Sequence, residues 1–171
     1  MTRKGVWNLQ QVRDKYLQSL WANPNNLFIS GANESGAMGQ NQRYDAPSPG
    51  DVGRSSAVQI AGDWNSVTTH REGISATKND GTLWVWGNNQ NGVLGNNSTA
   101  ARSSPTQVPG TTWKRVGSSS YTTCATKTDG TLWAWGQNNK GALGQNNTTQ
   151  YSSPVQIGSD TDWDWPVSGG G

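Results

Sequence analysis

Cysteine, histidine and phenylalanine each occur once in the 171 residues of this chain. With Cys124 alone, no intramolecular disulfide can form. With His70 alone, zinc sites built from clustered histidine and cysteine are excluded. A Cys–His nucleophile pair would have to join two residues at non-equivalent places in the chain. Charge is sparse, at 14% of residues, and the hydrophobic fraction of 31% is low for a globular protein. No apolar run is long enough to span a membrane, and the start, MTRKGVWNLQQ, lacks the hydrophobic stretch of a signal peptide. A strong surplus of one charge is missing too. Residues 1–21 carry a balance of +3 and the rest of the chain −1. A nucleic-acid-binding body needs a basic face, so neither DNA nor RNA is an expected partner. A membrane is not expected either.

What the chain does have is tryptophan, ten of them, and glycine, 22. Each tryptophan can bury a large apolar surface, which offsets the low hydrophobic fraction. Their spacing is regular. DGTLWVWGNNQNGVLG at 80–95 returns as DGTLWAWGQNNKGALG at 129–144, with eleven of sixteen positions identical at a constant offset of 49. A degraded copy comes first. LFISG at 27–31 stands where LWVWG and LWAWG stand later, and ANESGAMG at 32–39 matches Asn88 to Gly95, at an offset of 56. The extra residues fall around YDAPSPGDVGRS, which has the composition of a surface loop. A fixed offset of this size is the mark of a repeat architecture.

Each unit reads as short strands between turns. TLWVW and TLWAW are five-residue runs of β-branched and aromatic residues, preceded by the hairpin dipeptide Asp-Gly. The side-chain period of two sends Trp84 and Trp86 to one face and Leu83 and Val85 to the other. Both faces are apolar, so the strand is expected to be buried on both sides. ISATK and TCATK form the strand before each turn, and Cys124 within the second reads as a small core residue. SPTQV and SPVQI add another short strand. Gly92, Gly95, Gly141 and Gly144 read as positions needing positive φ or close approach, not ligand contacts.

Short strands at a period near 50, about four per unit, point to propeller blades. The pattern W-G-x-N-x-x-G-x-L-G, then S-P-x-x-V, then W-x-x-V, then T-x-D-G-T-L-W-x-W-G, resembles the repeat of the regulator of chromosome condensation family over residues 27–168. The resemblance implies a seven-bladed propeller, a fold that would need roughly 340 residues at this period. The expectation is therefore an all-β, incomplete β-propeller of about three blade-like repeats, at 27–82, 83–131 and 132–171. The histidine–threonine pair usual in that family is replaced by Tyr121-Thr122 and Glu72-Gly73, and His70 lies two positions off. An open propeller exposes strand edges and apolar flanks that other copies or other proteins would cover. The family also contains an exchange factor and an ultraviolet-B photoreceptor. The first needs a complete ring and a partner-specific loop. The second needs arginines beside a tryptophan cluster, for which Arg102 and Arg115 are too few.

Residues 1–26 are a different object. Leu9, Val12, Tyr16 and Leu20 make a helical stripe bracketed by Trp7 and Trp21, so a short N-terminal helix is expected. This segment resembles the Gly-Val-Trp-x-Leu…Trp modules attached to structural proteins of tailed bacteriophages, which implies a docking role for those six side chains.

No catalytic set is apparent. Asp80 and Asp129 belong to turns. Asp160, Asp162 and Asp164 read as a solvated loop before a cation site, and no acid pair at glycosidase spacing can be argued. The chain is expected to be non-enzymatic, with no cofactor and no metal. The reading is a phage virion structural protein of tail or fibre. It would dock to other virion proteins, form a homo-oligomer, and present its blades to a host-surface protein or glycan. Trp113, Trp163 and Tyr121 are its expected surface-binding residues. The alternative is a cytoplasmic protein-interaction propeller, a fragment of a longer repeat protein.

Overall fold

The structure is a computed structural model that describes residues 25–33, 35–41 and 54–168, with Arg54 and Ser55 described by backbone alone. The N-terminal helix and the docking side chains Trp7, Leu9, Val12, Tyr16, Leu20 and Trp21 lie outside the described residues. The described residues form ten strands: β1 (Leu27–Gly31), β2 (Arg54–Ile60), β3 (Trp64–His70), β4 (Gly73–Lys78), β5 (Leu83–Gly87), β6 (Arg102–Val108), β7 (Trp113–Ser118), β8 (Thr122–Lys127), β9 (Leu132–Gly136) and β10 (Tyr151–Ile157). Among the described residues, the one helical element is a single 3-10 turn, Gln90–Gly92.

The strands form three antiparallel sheets. The first is the pair β1–β2; the second has the order β3-β4-β5-β6 and the third β7-β8-β9-β10. The last two are four-stranded meanders, each a propeller blade, so the described residues make an incomplete β-propeller. The repeat extends to irregularities: both meanders carry a bulge between their first two strands, at Trp64/Ser66 and at Trp113/Arg115. Each sequence unit starts at its tryptophan-rich strand. It gives two strands to one sheet (β5, β6) and the next two to the following sheet (β7, β8). The first strand of each sheet thus reaches back over its neighbour, and β3 touches β7 along the inner edge.

The two-faced strand is observed. Leu83 and Val85 enter one core with Leu94, Val108, Trp113, Trp135 and Trp133, while Trp84 and Trp86 enter another with Ile60, Trp64, Leu27 and Ile29. The indole face of each sheet therefore docks on the aliphatic face of the sheet before it. Trp113 crosses Trp133 and Trp135 at centroid distances of 6.2 and 6.0 Å, both edge-on. Cys124, Ala134 and Leu143 form the corresponding aliphatic face of the third sheet.

Residues 163–168 continue the pattern without a strand. The Trp163 N–H donates to the Gly130 carbonyl (3.1 Å), as Trp113 does to Gly81 (2.9 Å) and Trp64 to Asn25 (3.0 Å). The Asp164 carbonyl accepts from Thr126 as the Lys114 carbonyl accepts from Thr77, both at 3.3 Å. This segment lies where the first strand of a further blade would begin.

Candidate functional site

The two ends of the blades differ. At one end the connections are short: 61–63, 79–82, 109–112 and 128–131. Asp80 and Asp129 close two of them by accepting from the N–H and hydroxyl of Thr82 and Thr131. At the other end lie the loops 88–101 and 137–150 beside the turns 71–72 and 119–121. Binding residues concentrate on loops held by a rigid scaffold, which directs attention to the second end.

A buried asparagine builds each long loop. Asn89 donates to the carbonyls of Ser98 (2.8 Å) and Ala100 (3.0 Å) and accepts from the Leu94 N–H (2.9 Å). Asn138 repeats this with Asn147, Thr149 and Leu143. Asn33 accepts from the Met38 N–H at 3.0 Å. These residues escaped the sequence reading, although the asparagine stands in register in all three copies.

Upon this scaffold, the β3–β4 turn carries a charged cluster. The Glu72 carboxylate accepts from the Ser35 hydroxyl (2.6 Å) and the Asn88 amide (3.0 Å), and its other oxygen lies 3.5 Å from Arg71 Nε. The Ser35 and Asn88 hydrogen bonds, in that order, hold the carboxyl below its ordinary range, with a smaller contribution from Arg71. Arg71 also reaches across to the third sheet, where its guanidinium donates to the Tyr121 hydroxyl and sits over the ring at 5.6 Å. The cluster thus joins the first loop, the second sheet and the third.

Beside it, a cavity of about 420 Å³ is lined by Phe28, Ile29, Met38, His70, Glu72 and Ile74 among others. His70 is buried, and neither ring nitrogen has a partner. Burial lowers its pKa to about 4, so the imidazole is neutral at physiological pH. The ring lies against Gly73, where an added Cβ would come within 2.2 Å of Cε1.

Of the expected surface residues, Tyr121 is half-buried and joins this cluster, and Trp163 is 41% exposed at the far end of the third sheet. Trp113 corrects the expectation. It is 2% exposed, because the inner-strand start is covered by Trp133 and Trp135, and its indole N–H is spent on the Pro109 carbonyl. Cys124 is a core thiol, pushed up to about 11 by burial. Asp164 is taken by Lys114 (2.8 Å) and Arg115 (3.3 Å). Among the described residues, no three His, Cys, Asp or Glu side chains are grouped to hold a metal ion.

The regulator of chromosome condensation (RCC1) repeat matches residues 80–126 and 129–168, together half of the chain, and a second form of that repeat matches 113–142. No curated protein matches the sequence. Solved structures share the fold. Human WBSCR16 superposes with a TM-score of 0.64 at 20% identity, covering 77% of this chain and 34% of that one. Prp20p from Saccharomyces cerevisiae, described with its binding properties to Gsp1p and histones, gives 0.68 at 18% identity, with 80% and 35% covered. Yeast RCC1 (Prp20) bound to Kap60 gives 0.69 at 18%, with 80% and 34% covered. This chain spans about a third of the length of each.

Proposed function

We propose, from the premise that this chain belongs to the regulator of chromosome condensation repeat family, that it is a non-enzymatic protein-binding module presenting the loop end of its blades to a partner protein. The observation that carries this reading is the Arg71–Glu72–Tyr121 cluster. It spans two sheets at the loop end, beside a cavity with both apolar walls and unspent polar groups. Such a mixture of aromatic, arginine and fixed carboxylate suits a protein surface better than a small metabolite. Solved relatives of this fold have been crystallised or assayed with protein partners, Gsp1p, histones and Kap60, which supports a partner of the same class here.

The test is a partner captured by the full chain, purified, and titrated against charge-reversed variants. Arg71→Glu with Glu72→Arg should weaken binding by at least about tenfold. Asp80→Asn with Asp129→Asn, at the short-turn end, should leave it within about twofold. Equal losses from both pairs would place the interface elsewhere. A second reading, a structural protein of a tailed-phage particle located in the virion, is favoured by the sequence of residues 5–21 alone. Unchanged incorporation into particles after deletion of residues 1–24 would remove it.

A further inference from the structure

A second cavity, of about 210 Å³, lies between the second and third sheets toward their outer strands. Its walls are chiefly Trp113, Trp133, Pro109 and Pro154, with Lys127, Asn96, Asn97 and Ser153 as its polar members. The connection 109–112 is one residue longer than its counterpart 61–63, and Pro109 at its start is part of the wall.

Both indole N–H groups are used internally, Trp113 on the Pro109 carbonyl (3.1 Å) and Trp133 on the Thr131 hydroxyl (2.8 Å). Asn96 accepts through Oδ1 from Asn89 (3.1 Å), while its Nδ2 is buried with no partner. The Lys127 ammonium lies 3.8 Å from the Trp133 ring centroid and 4.8 Å from that of Trp113. No carboxylate forms an ion pair with it among the described residues; nearby Asp129 feels its charge, but the Asp129 carboxylate accepts from the Thr131 N–H and hydroxyl. An ammonium held over two indoles and an unpaired amide thus belong to residues that line a largely apolar slot. An unpaired buried amide is costly, and an ammonium held over indoles is already positioned for an anion.

We infer that this slot binds a carboxylate carried on a compact apolar group, with the carboxylate at Lys127 Nζ beside Asn96 and the apolar group against Trp133 and the two prolines. The same chemistry is offered by a free small acid and by the C-terminus of a peptide ending in an apolar residue.

Phenylacetate, its amide, and an acetylated tetrapeptide ending in leucine, as free acid and as amide, are titrated into the full chain. The Asn96 side-chain amide signals are followed by NMR, alongside tryptophan fluorescence. Both acids should shift the Asn96 signals, and each amide should bind at least about tenfold more weakly. A free acid that binds as well as the peptide identifies a small-molecule site; a much tighter peptide identifies a C-terminus reader. Lys127→Met keeps the aliphatic stem on the indoles, and Asn96→Asp keeps the shape while reversing the donor. Either should weaken acid binding about tenfold, whereas Lys78→Met, at the matching place over Trp64 and Trp84, should not. Acid and amide binding equally well, or unmoved Asn96 signals at millimolar acid, would overturn the assignment without recourse to any variant.

Discussion

Trp135 donates its indole N–H to the carbonyl of Val93 at 2.8 Å, across the boundary between the second and third sheets. The Thr123 hydroxyl donates to the same oxygen at 2.9 Å. One repeat earlier, Trp86 makes the equivalent bond to Ala37 at 2.9 Å. The second tryptophan of each repeat is thus both the filler of a blade interface and the clamp on the preceding long loop. Trp135→Ala should cost about 3–5 kcal/mol in urea unfolding, the range for removing a buried large side chain. Trp135→Phe should cost less, about 1–2 kcal/mol, since Thr123 still satisfies the carbonyl. Trp165, 71% exposed, is the contrast. Its replacement by alanine should cost under about 1 kcal/mol despite its contact with Arg115.

The loop asparagines should matter as much as the tryptophans. Asn89→Ala strands the Leu94 N–H and the carbonyls of Ser98 and Ala100 together. One buried N–H left unpaired at about 1–3 kcal/mol, with two part-buried carbonyls that water can partly satisfy, predicts a loss of about 2–3 kcal/mol and faster proteolysis within 88–101. Asn138→Ala should behave alike. A loss under 1 kcal/mol for both would show that water replaces the amide.

These two side chains mark what the sequence made legible. LWVWG announced its own two-sided burial, because alternation and double apolarity together admit few alternatives. The loop asparagine was visible as a repeated letter but not as a function. Its partners Ser98 and Ala100 are nine and eleven residues away, in a polar loop with no periodicity to reveal them. Trp113 was misplaced for a similar reason. It follows a turn, where exposure is usual, yet its indole is turned inward by neighbours contributed by another strand. The rim cluster was least legible, since Ser35, Arg71 and Tyr121 belong to three different sheets and meet only through the stacking of those sheets.

His70 sets a pH dependence of stability. The folded imidazole titrates near 4, against 6.5 for an exposed one, so the unfolded chain takes up the proton first as pH falls. Stability from this group is intact above about pH 6.5 and falls by about 3 kcal/mol as pH drops toward 4. Glu72, held below its ordinary range, adds a separate loss at lower pH. Thermal melts between pH 7 and pH 4.5 should show a fall in Tm that flattens in His70→Gln. A slope unchanged in that variant would assign the dependence to other groups.

Gly92 and Gly141 occupy the same place in successive repeats, at φ of +71° and +75°. Their surroundings differ. A Cβ at Gly92 would lie 2.6 Å from the Ser152 backbone of the next sheet, whereas one at Gly141 meets nothing within 4 Å. Gly36 repeats the crowded case against Ser103, at 2.5 Å. Alanine at 141 should therefore cost only the left-handed strain, about 1 kcal/mol, while alanine at 92 adds a backbone clash of about 1–3 kcal/mol. The difference in urea unfolding between the two variants isolates the contact that a following blade makes. It also gives a readout of assembly. If another protein or another copy seats a blade on the third sheet, Gly141→Ala should weaken that association while barely affecting the isolated chain. Equal effects on folding from both substitutions would mean that the third sheet's loop is already covered in solution.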